Sequence, residues 1–276
     1  MSSDTNKIPV DLTGAPETML ATLYGRALDA DAEHPILGDT YAKELVARLD
    51  YDWSKTTITA RNAPSVAIRS AHFDRWTRQF LAAHEEATVL HLGCGLDSRA
   101  FRVRPGPGVE WYDVDYPEVI ALREQFYPPD ATYRLLGVSV SELDWLSAIS
   151  ADRPVLLIAE GVTMYLTEDS GVALLRRVVE RFGSGELQFD VFNRFAIRTQ
   201  KINSVVRRTG ARLHWGVDGP ADILRNVPGV RLLGAMSVFD DPVFRRLPRR
   251  YRVMARLMSL VPSLRMMAQY HRYAFG

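Results

Sequence analysis

The stretch "ATVLHLGCGLDSRAFR", residues 87–102, reads as a buried strand running directly into a glycine turn and then a helix. Further along, "PVLLIAEG" (154–161) is apolar almost without alternation, as a strand buried on both faces should be. Gly93 and Gly95 form a G-x-G, and Ser98 stands where a dinucleotide fingerprint places its third small residue. Glycines here let the backbone approach a ligand closely, and the helix that follows offers free N–H groups.

Outward from this turn the same pattern repeats. Candidate strands are 88–93, 109–115, 132–138, 154–161 and 186–192, with helices expected at 98–102, 117–126, 141–149 and 167–182. Strands separated by helices build right-handed βαβ units and a parallel sheet. A sixth strand is read at 229–240, and the closing "HRYAFG" supplies a seventh beside it, after helices within 242–268. Residues 1–86 lack strand signals and space their apolar residues helically; Ile68, Phe73, Trp76 and Phe80 fall near one face, and Asp39 is placed to cap a helix. The fold expected is α/β: a doubly wound, mostly parallel seven-stranded sheet (87–276) preceded by an N-terminal helical cap (1–86). A helical insertion is expected after the fifth strand, at about 193–228, in one structural unit.

Composition narrows the class. The chain has 276 residues, 47% hydrophobic and 24% charged, enough for a sizeable core. A net charge of +1 gives no reason to expect nucleic acid as a partner. Cys94 is the only cysteine, so neither an intrachain disulfide nor a cysteine-built zinc site can form. The six histidines show no ligand spacing, and no metal is expected. No signal peptide and no transmembrane run is read, which points to the cytoplasm; a homo-oligomer is left open. From Arg231 to Gly276 nine arginines face only Asp240 and Asp241. That charge is either a solvated helix face or a surface for an anionic lipid or substrate carrier.

The turn selects its ligand by charge. Asp113 and Asp115 lie 20 and 22 residues after Gly93, the spacing at which a carboxylate reaches a ribose hydroxyl. A dinucleotide and S-adenosylmethionine both fit that arrangement. Asp97, beside the turn, would repel a pyrophosphate but welcome an ammonium and a sulfonium. The methyl donor is therefore preferred.

"VLHLGCGLDSRAFR", "WYDVDYPEVI" and "LLIAEGVTMYL", in this order, resemble the leucine carboxyl methyltransferase family, in its branch of bacterial polyketide carboxyl O-methyltransferases. The resemblance spans nearly the whole chain and implies a Rossmann-like methyltransferase sheet binding S-adenosylmethionine. By the same resemblance Arg69 pairs with the methionine carboxylate, Gly93 and Gly95 pass beneath the methionine portion, Asp115 accepts from the ribose hydroxyls, and Glu160 lies beside the cofactor. Ser139 and Val140 stand where the family commonly has Asp-Leu for the adenine. Serine brings no negative charge there.

The acceptor expected is a small polyketide-like carboxylic acid, which needs no general base because it is already ionised. Tyr165 matches a family tyrosine at the mouth of the site, and Arg194 follows the fifth strand, where it could hold an anionic substrate. A phenolic substrate would instead need a base, for which His214 is the candidate among the histidines. A module that binds S-adenosylmethionine without catalysis is the third reading. The acceptor pocket is expected between the cap and the insertion.

Overall fold

The computed structural model describes residues 7–10, 12, 15–202, 207 and 210–276. Its frame is a seven-stranded sheet. The strands are β3 (Ala87–Leu92), β4 (Val109–Asp115), β5 (Tyr133–Gly137), β6 (Val155–Ala159), β7 (Gly185–Phe192), β8 (Val230–Ser237) and β9 (Ala268–Phe275). They lie side by side as β5-β4-β3-β6-β7-β9-β8. β9 alone runs antiparallel to its neighbours, slotted between β7 and β8. It starts at Ala268, three residues before the expected "HRYAFG".

The strand order reverses between β3 and β6, which pair in parallel from Thr88–Val155 to His91–Ile158. Chain order thus leaves a crevice beyond their carboxyl ends, where open α/β sheets bind ligands. Every residue of β3 and of β6 is buried, as expected of strands covered on both faces.

Three helices precede this sheet: α1 (Ala15–Ala30), α2 (Thr40–Arg48) and α3 (Ala63–Ala83). Asp39 caps α2, its Oδ1 accepting from Ala42 N at 3.2 Å. Leu20 and Leu23 of α1 and Phe73 and Phe80 of α3 share one core with Val89 and Trp111 of the sheet. A two-residue parallel ladder, β1 (Ile8–Pro9) with β2 (Leu49–Asp50), ties the start of the chain to α2; the sequence reading had no strand there.

Four helices complete the crossovers as far as β8: α4 (Arg99–Val103), α5 (Pro117–Glu124), α6 (Glu168–Arg181) and α8 (Pro220–Asn226). α6 starts on a Thr167 cap, with Glu168 and Asp169 at its positive end and Arg181 at the other. The helix expected at 141–149 is instead a 3-10 run, Leu143–Ala148. Its short polar side chains bond back to the local backbone, Ser147 Oγ donating to Asp144 O at 2.6 Å, in competition with an α-helical ladder.

The insertion begins in helix, as expected. Its helix α7 (Arg194–Arg198) has five residues and is followed by a 3-10 turn, Gln200–Ile202; residues 203–206, 208 and 209 of the expected helix lie outside the described residues. The chain then returns in extended form, His214 N donating to Met164 O at 2.8 Å and Val217 N to Phe192 O at 2.8 Å.

The long crossover between β8 and β9 carries two 3-10 turns, Val238–Asp240 and Pro242–Arg246, then α9 (Arg249–Met258) and α10 (Pro262–Arg265). Asp241 anchors it: its Oδ2 lies 2.7 Å from His72 Nδ1 and 2.7 Å from Arg75 Nη2 on α3, and its Oδ1 accepts from Val243 N at 2.9 Å. No helix among the described residues is long and apolar enough to cross a membrane.

Candidate active site

A cavity of about 610 Å³ opens at the carboxyl ends of β3, β4, β6 and β7. The turn after β3 forms its floor. Gly93 and Gly95 adopt φ of 57° and 50°, left-handed values that favour glycine. A Cβ on Gly93 would stand 2.4 Å from Val162 Cγ2, so this backbone and the chain after β6 close on each other too tightly for a side chain. Arg123, fully buried on α5, clasps the turn from below, donating to Gly95 O at 2.9 Å and to Asp97 O at 2.7 Å.

The two carboxylates of β4 part company here. Asp113 faces inward and is fully buried among Arg123, His91 Nδ1 at 2.8 Å, Trp111 Nε1 at 2.9 Å and Tyr133 OH at 2.6 Å. Burial alone would raise this carboxyl; Arg123, His91 and Tyr133 outweigh it and hold it at about 2. Asp113 is thus part of the scaffold. Asp115 lines the cavity, its Oδ2 accepting from Gly95 N at 2.7 Å and its Oδ1 from Tyr116 N at 2.8 Å. Burial raises it, against the pull of those two N–H groups.

Past β6, Glu160 is held by Arg69 Nε at 2.9 Å, by Ser70 Oγ at 2.9 Å and by Arg99 Nη2. Burial pushes this carboxyl up, but Arg99 and Arg69 prevail and keep it at about 2. Arg69 also meets Asp190 Oδ2 at 3.2 Å. Burial opposes its charge and Asp190 and Glu160 restore it, leaving the guanidinium more basic than usual. Its Nη2 has no hydrogen-bond acceptor among the described residues, although Arg69 lines the cavity.

Asp97 does line the cavity, but its charge is already spent. Arg102 Nη1 donates to it at 2.6 Å and Arg99 Nη2 lies at 3.3 Å, and these cations hold the carboxyl well below its usual range despite burial. Arg99 and Arg102 are bound in turn by Asp74, with Arg99 Nε at 2.9 Å and Arg102 Nε at 3.0 Å. The sequence argument that Asp97 alone screens for a cation therefore needs correction. What holds is the rest of the wall, where among the described residues Asp115 is bonded only to backbone N–H groups and Asp190 shares Arg69 with Glu160.

Of the remaining expected residues, Val140 and Tyr165 line the cavity. Burial raises the Tyr165 phenol. Ser139 does not reach the cavity: its Oγ accepts from Ser141 N at 3.3 Å within its own turn. Arg194 and His214 also fall outside. Arg194 is tied to Asp218 at 2.6 Å and Asp222 at 2.9 Å, and His214 is exposed on the returning strand. The β8–β9 crossover, through Phe239, Phe244, Leu247, Tyr251 and Met254, takes the place that was expected for the insertion.

Asp190 was not foreseen. It shares the signal that singled out Glu160, a carboxylate near the end of an apolar strand, and its burial raises its carboxyl. The crossover aromatics carry no such signal, because only the folded chain brings 239–254 over the turn. Among the described residues, no three His, Cys, Asp or Glu side chains converge as metal ligands.

A parallel sheet with one antiparallel strand, a glycine turn at its switch point and a cation-favouring wall define an S-adenosylmethionine-dependent methyltransferase. Residues 19–179 match the model of the leucine carboxyl methyltransferase family, to which this chain belongs. It is 41% identical over 266 residues to the tetracenomycin polyketide synthesis O-methyltransferase TcmP of Streptomyces glaucescens, covering 96% of this chain and 98% of that protein. A second relative, the S-adenosyl-L-methionine-dependent methyltransferase dpfgK of Gibberella zeae, is 37% identical over 264 residues, 87% of this chain and 88% of its own. Among solved structures, a candidate methyltransferase from Thermobifida fusca superposes with a TM-score of 0.60 at 15% identity, covering 99% of this chain and 96% of that one. The enzyme is an O-methyltransferase, and its cofactor is S-adenosylmethionine.

Proposed function

We propose that this enzyme methylates a carboxylate on a small, flat, largely apolar metabolite of polyketide type. S-Adenosylmethionine fits the residues present: a glycine turn on the cavity wall, the Asp115 carboxylate with lone pairs to spare, and the Arg69 guanidinium beside Glu160 and Asp190. When bound, it supplies a methyl group on a sulfonium for direct transfer to an oxygen nucleophile.

In this reading Asp115 turns its remaining lone pairs to the ribose hydroxyls, each oxygen already steadied by one backbone N–H. Arg69 uses its open Nη2 edge for the methionine carboxylate, with Glu160 and Asp190 fixing the guanidinium plane. Tyr116, Val138 and Val140 flank the adenine, with apolar contact where the family commonly has an aspartate. Tyr165, on the wall of the same cavity, positions the acceptor.

The observation that carries the carboxylate is the lack of a free base. His91 is the one histidine of the cavity wall, and its ring is locked between Asp113 at 2.8 Å and Arg99 Nη1 at 3.3 Å. Glu160 and Asp97 are engaged by arginine, Asp190 by Arg69 and Gly161 N, and Asp115 by Gly95 N and Tyr116 N, its free lone pairs being those assigned to the ribose. A hydroxyl acceptor would have to lose its proton there, whereas a carboxylate with a pKa near 4 arrives without one. The relative's name, a tetracenomycin polyketide synthesis O-methyltransferase, supports a polyketide-type acceptor.

The test is incubation with radiolabelled methyl donor and a panel of polycyclic aromatic acids and matching phenols. Label released as methanol by mild base identifies an ester and supports the reading. Label that survives base, carried on phenols alone, overturns it.

A further inference from the structure

After Asp241 the chain carries charge of one sign only. Residues 242–276 hold eight arginines and no Asp or Glu. Four of those arginines, Arg249, Arg250, Arg252 and Arg256, are exposed on α9, and none of them meets a carboxylate among the described residues. The two acidic groups nearest in sequence are already engaged, Asp240 by Arg265 at 3.0 Å and Asp241 by His72 and Arg75.

α9 is divided lengthwise. Ala255 turns into the protein, and Tyr251 and Met258 beside it are half-buried. Arg249, Arg252 and Arg256 recur at i, i+3 and i+7 and share a second side. Arg250, Val253, Met254 and Leu257 recur at i, i+3, i+4 and i+7 on a third, which faces solvent. Leu257 is 61% exposed there, and beyond the helix Leu260 is 74% exposed, with Val261 beside it. Single exposed aliphatics are ordinary, but a run of them along one helix marks a contact surface.

We propose that this face is a docking surface for an anionic lipid bilayer. α9 lies flat on it, with Val253, Leu257 and Leu260 at the acyl boundary and the flanking arginines among the phosphates. An exposed aliphatic side bordered by unpaired arginines is the design of a helix that rests in a membrane interface without crossing it. Arg250 fits the same placement, since its long stem can lie along apolar surface while its head stays with the phosphates. A second copy of this chain, paired about a two-fold axis, would set these arginines against their own images. A protein partner would meet aliphatic side chains where protein interfaces favour aromatic ones. Met254 also borders the cavity, so the docked helix is part of the wall of the site.

The test sediments the full chain with vesicles of phosphatidylcholine alone and with vesicles in which about a third of that lipid is replaced by phosphatidylglycerol. Wild type should prefer the anionic vesicles by at least roughly tenfold, and the preference should shrink as salt is raised. Arg252→Gln with Arg256→Gln should weaken that binding by roughly fivefold per arginine. Leu257→Ser with Leu260→Ser, which leaves the charge unchanged, should weaken it by roughly tenfold. All four positions lie outside the cavity wall, so melting temperature and S-adenosylhomocysteine affinity should stay at wild-type values and confirm folded protein.

Failure to bind either vesicle, equal binding to both, or anionic binding that survives the leucine pair unchanged overturns the proposal. Where vesicle binding fails, a dimer that the leucine pair dissociates, or capture of an acidic carrier protein, gives the face to that occupant instead. None of these readouts depends on which acceptor is methylated.

Discussion

Asp115 and Asp113 sit two residues apart on β4 and are assigned opposite work, so replacing each tests the site directly. In Asp115→Ala a cofactor loses hydrogen bonds from both ribose hydroxyls to an ionised group, at about 1.5–3 kcal/mol each. The two bonds share one carboxylate and are not additive. The same carboxylate also tethers Gly95 N and Tyr116 N, which slightly loosens the turn when it is removed. A net loss of roughly 2–4 kcal/mol follows, about 30-fold to 900-fold in the dissociation constant of S-adenosylhomocysteine. Stability should change little, because the side chain lies at the cavity edge. Asp113→Ala should behave in reverse. It strands the fully buried Arg123 and frees Tyr133 and His91, at about 3–5 kcal/mol of stability. Affinity of the fraction that remains folded should fall far less. Isothermal titration and urea unfolding on both variants decide the matter. An Asp115→Ala protein that binds as wild type, or an Asp113→Ala protein that keeps its unfolding midpoint and loses binding, refutes the assignment.

Three further outcomes are expected. Turnover should stay flat from pH 8 to about 6 and survive His214→Ala, since that imidazole is exposed outside the cavity; a rate titrating near pH 6.5 and abolished by the substitution would restore a histidine base. His271, buried between Gln269 Oε1 at 3.1 Å and Tyr273 OH at 2.8 Å, is lowered by burial from 6.5 to about 4. The unfolded chain takes up that proton first, so stability is full above pH 6.5 and declines as pH falls toward 4, at no more than about 1.4 kcal/mol per pH unit. Urea midpoints at pH 7 and pH 5 should differ less in His271→Gln than in wild type, and an equal difference would place the acid sensitivity elsewhere. Last, a cofactor analogue with an ammonium in place of the sulfonium should bind more tightly than uncharged-sulfur S-adenosylhomocysteine, and NAD should not bind; calorimetric titration with all three checks the order.

The sheet was legible because its signals are local. Buried parallel strands show as continuous apolar runs, and the punctuation between them is glycine, proline and helix caps, all within a few residues. Asp39 and the Val155–Ala159 strand needed nothing beyond their neighbours. The helical start of the insertion and the loop after it were legible, but not where that loop docks. Leu213, Trp215 and Val217 are buried in extended chain, with Trp215 pressed so close to Gly171 that a Cβ there would stand 2.1 Å from the indole. Periodicity is silent about such docking. The acceptor wall was illegible for a related reason: Phe239 and Tyr251 read as ordinary crossover residues until Asp241, held by His72 and Arg75, lays that crossover over the turn.

The charge argument shows how a sound conclusion can stand on the wrong residue. Asp97 was chosen because it follows the glycines in sequence, yet Arg102 and Arg99 neutralise it. Those two arginines are themselves consumed by Asp74, Asp39 and Glu160, so the lattice beneath the turn leaves little cationic charge to offer a ligand. Within the cavity Asp115 has no arginine bonded to it among the described residues, and Asp190 shares Arg69 with Glu160. Asp115 and Asp190 are the two that burial raises, meaning that their negative charge is the least compensated. A pyrophosphate would add two charges of the same sign to that wall. S-Adenosylmethionine carries an ammonium and a sulfonium against a single carboxylate, and the wall supplies one open guanidinium edge, on Arg69, for that carboxylate. On the proposed reading the selectivity belongs to the folded ensemble of charges rather than to the position where the family commonly has Asp-Leu. In the proposed pose Val138, Val140 and Tyr116 flank the adenine, and discrimination falls to the ribose and methionine ends, where the fixed charges are.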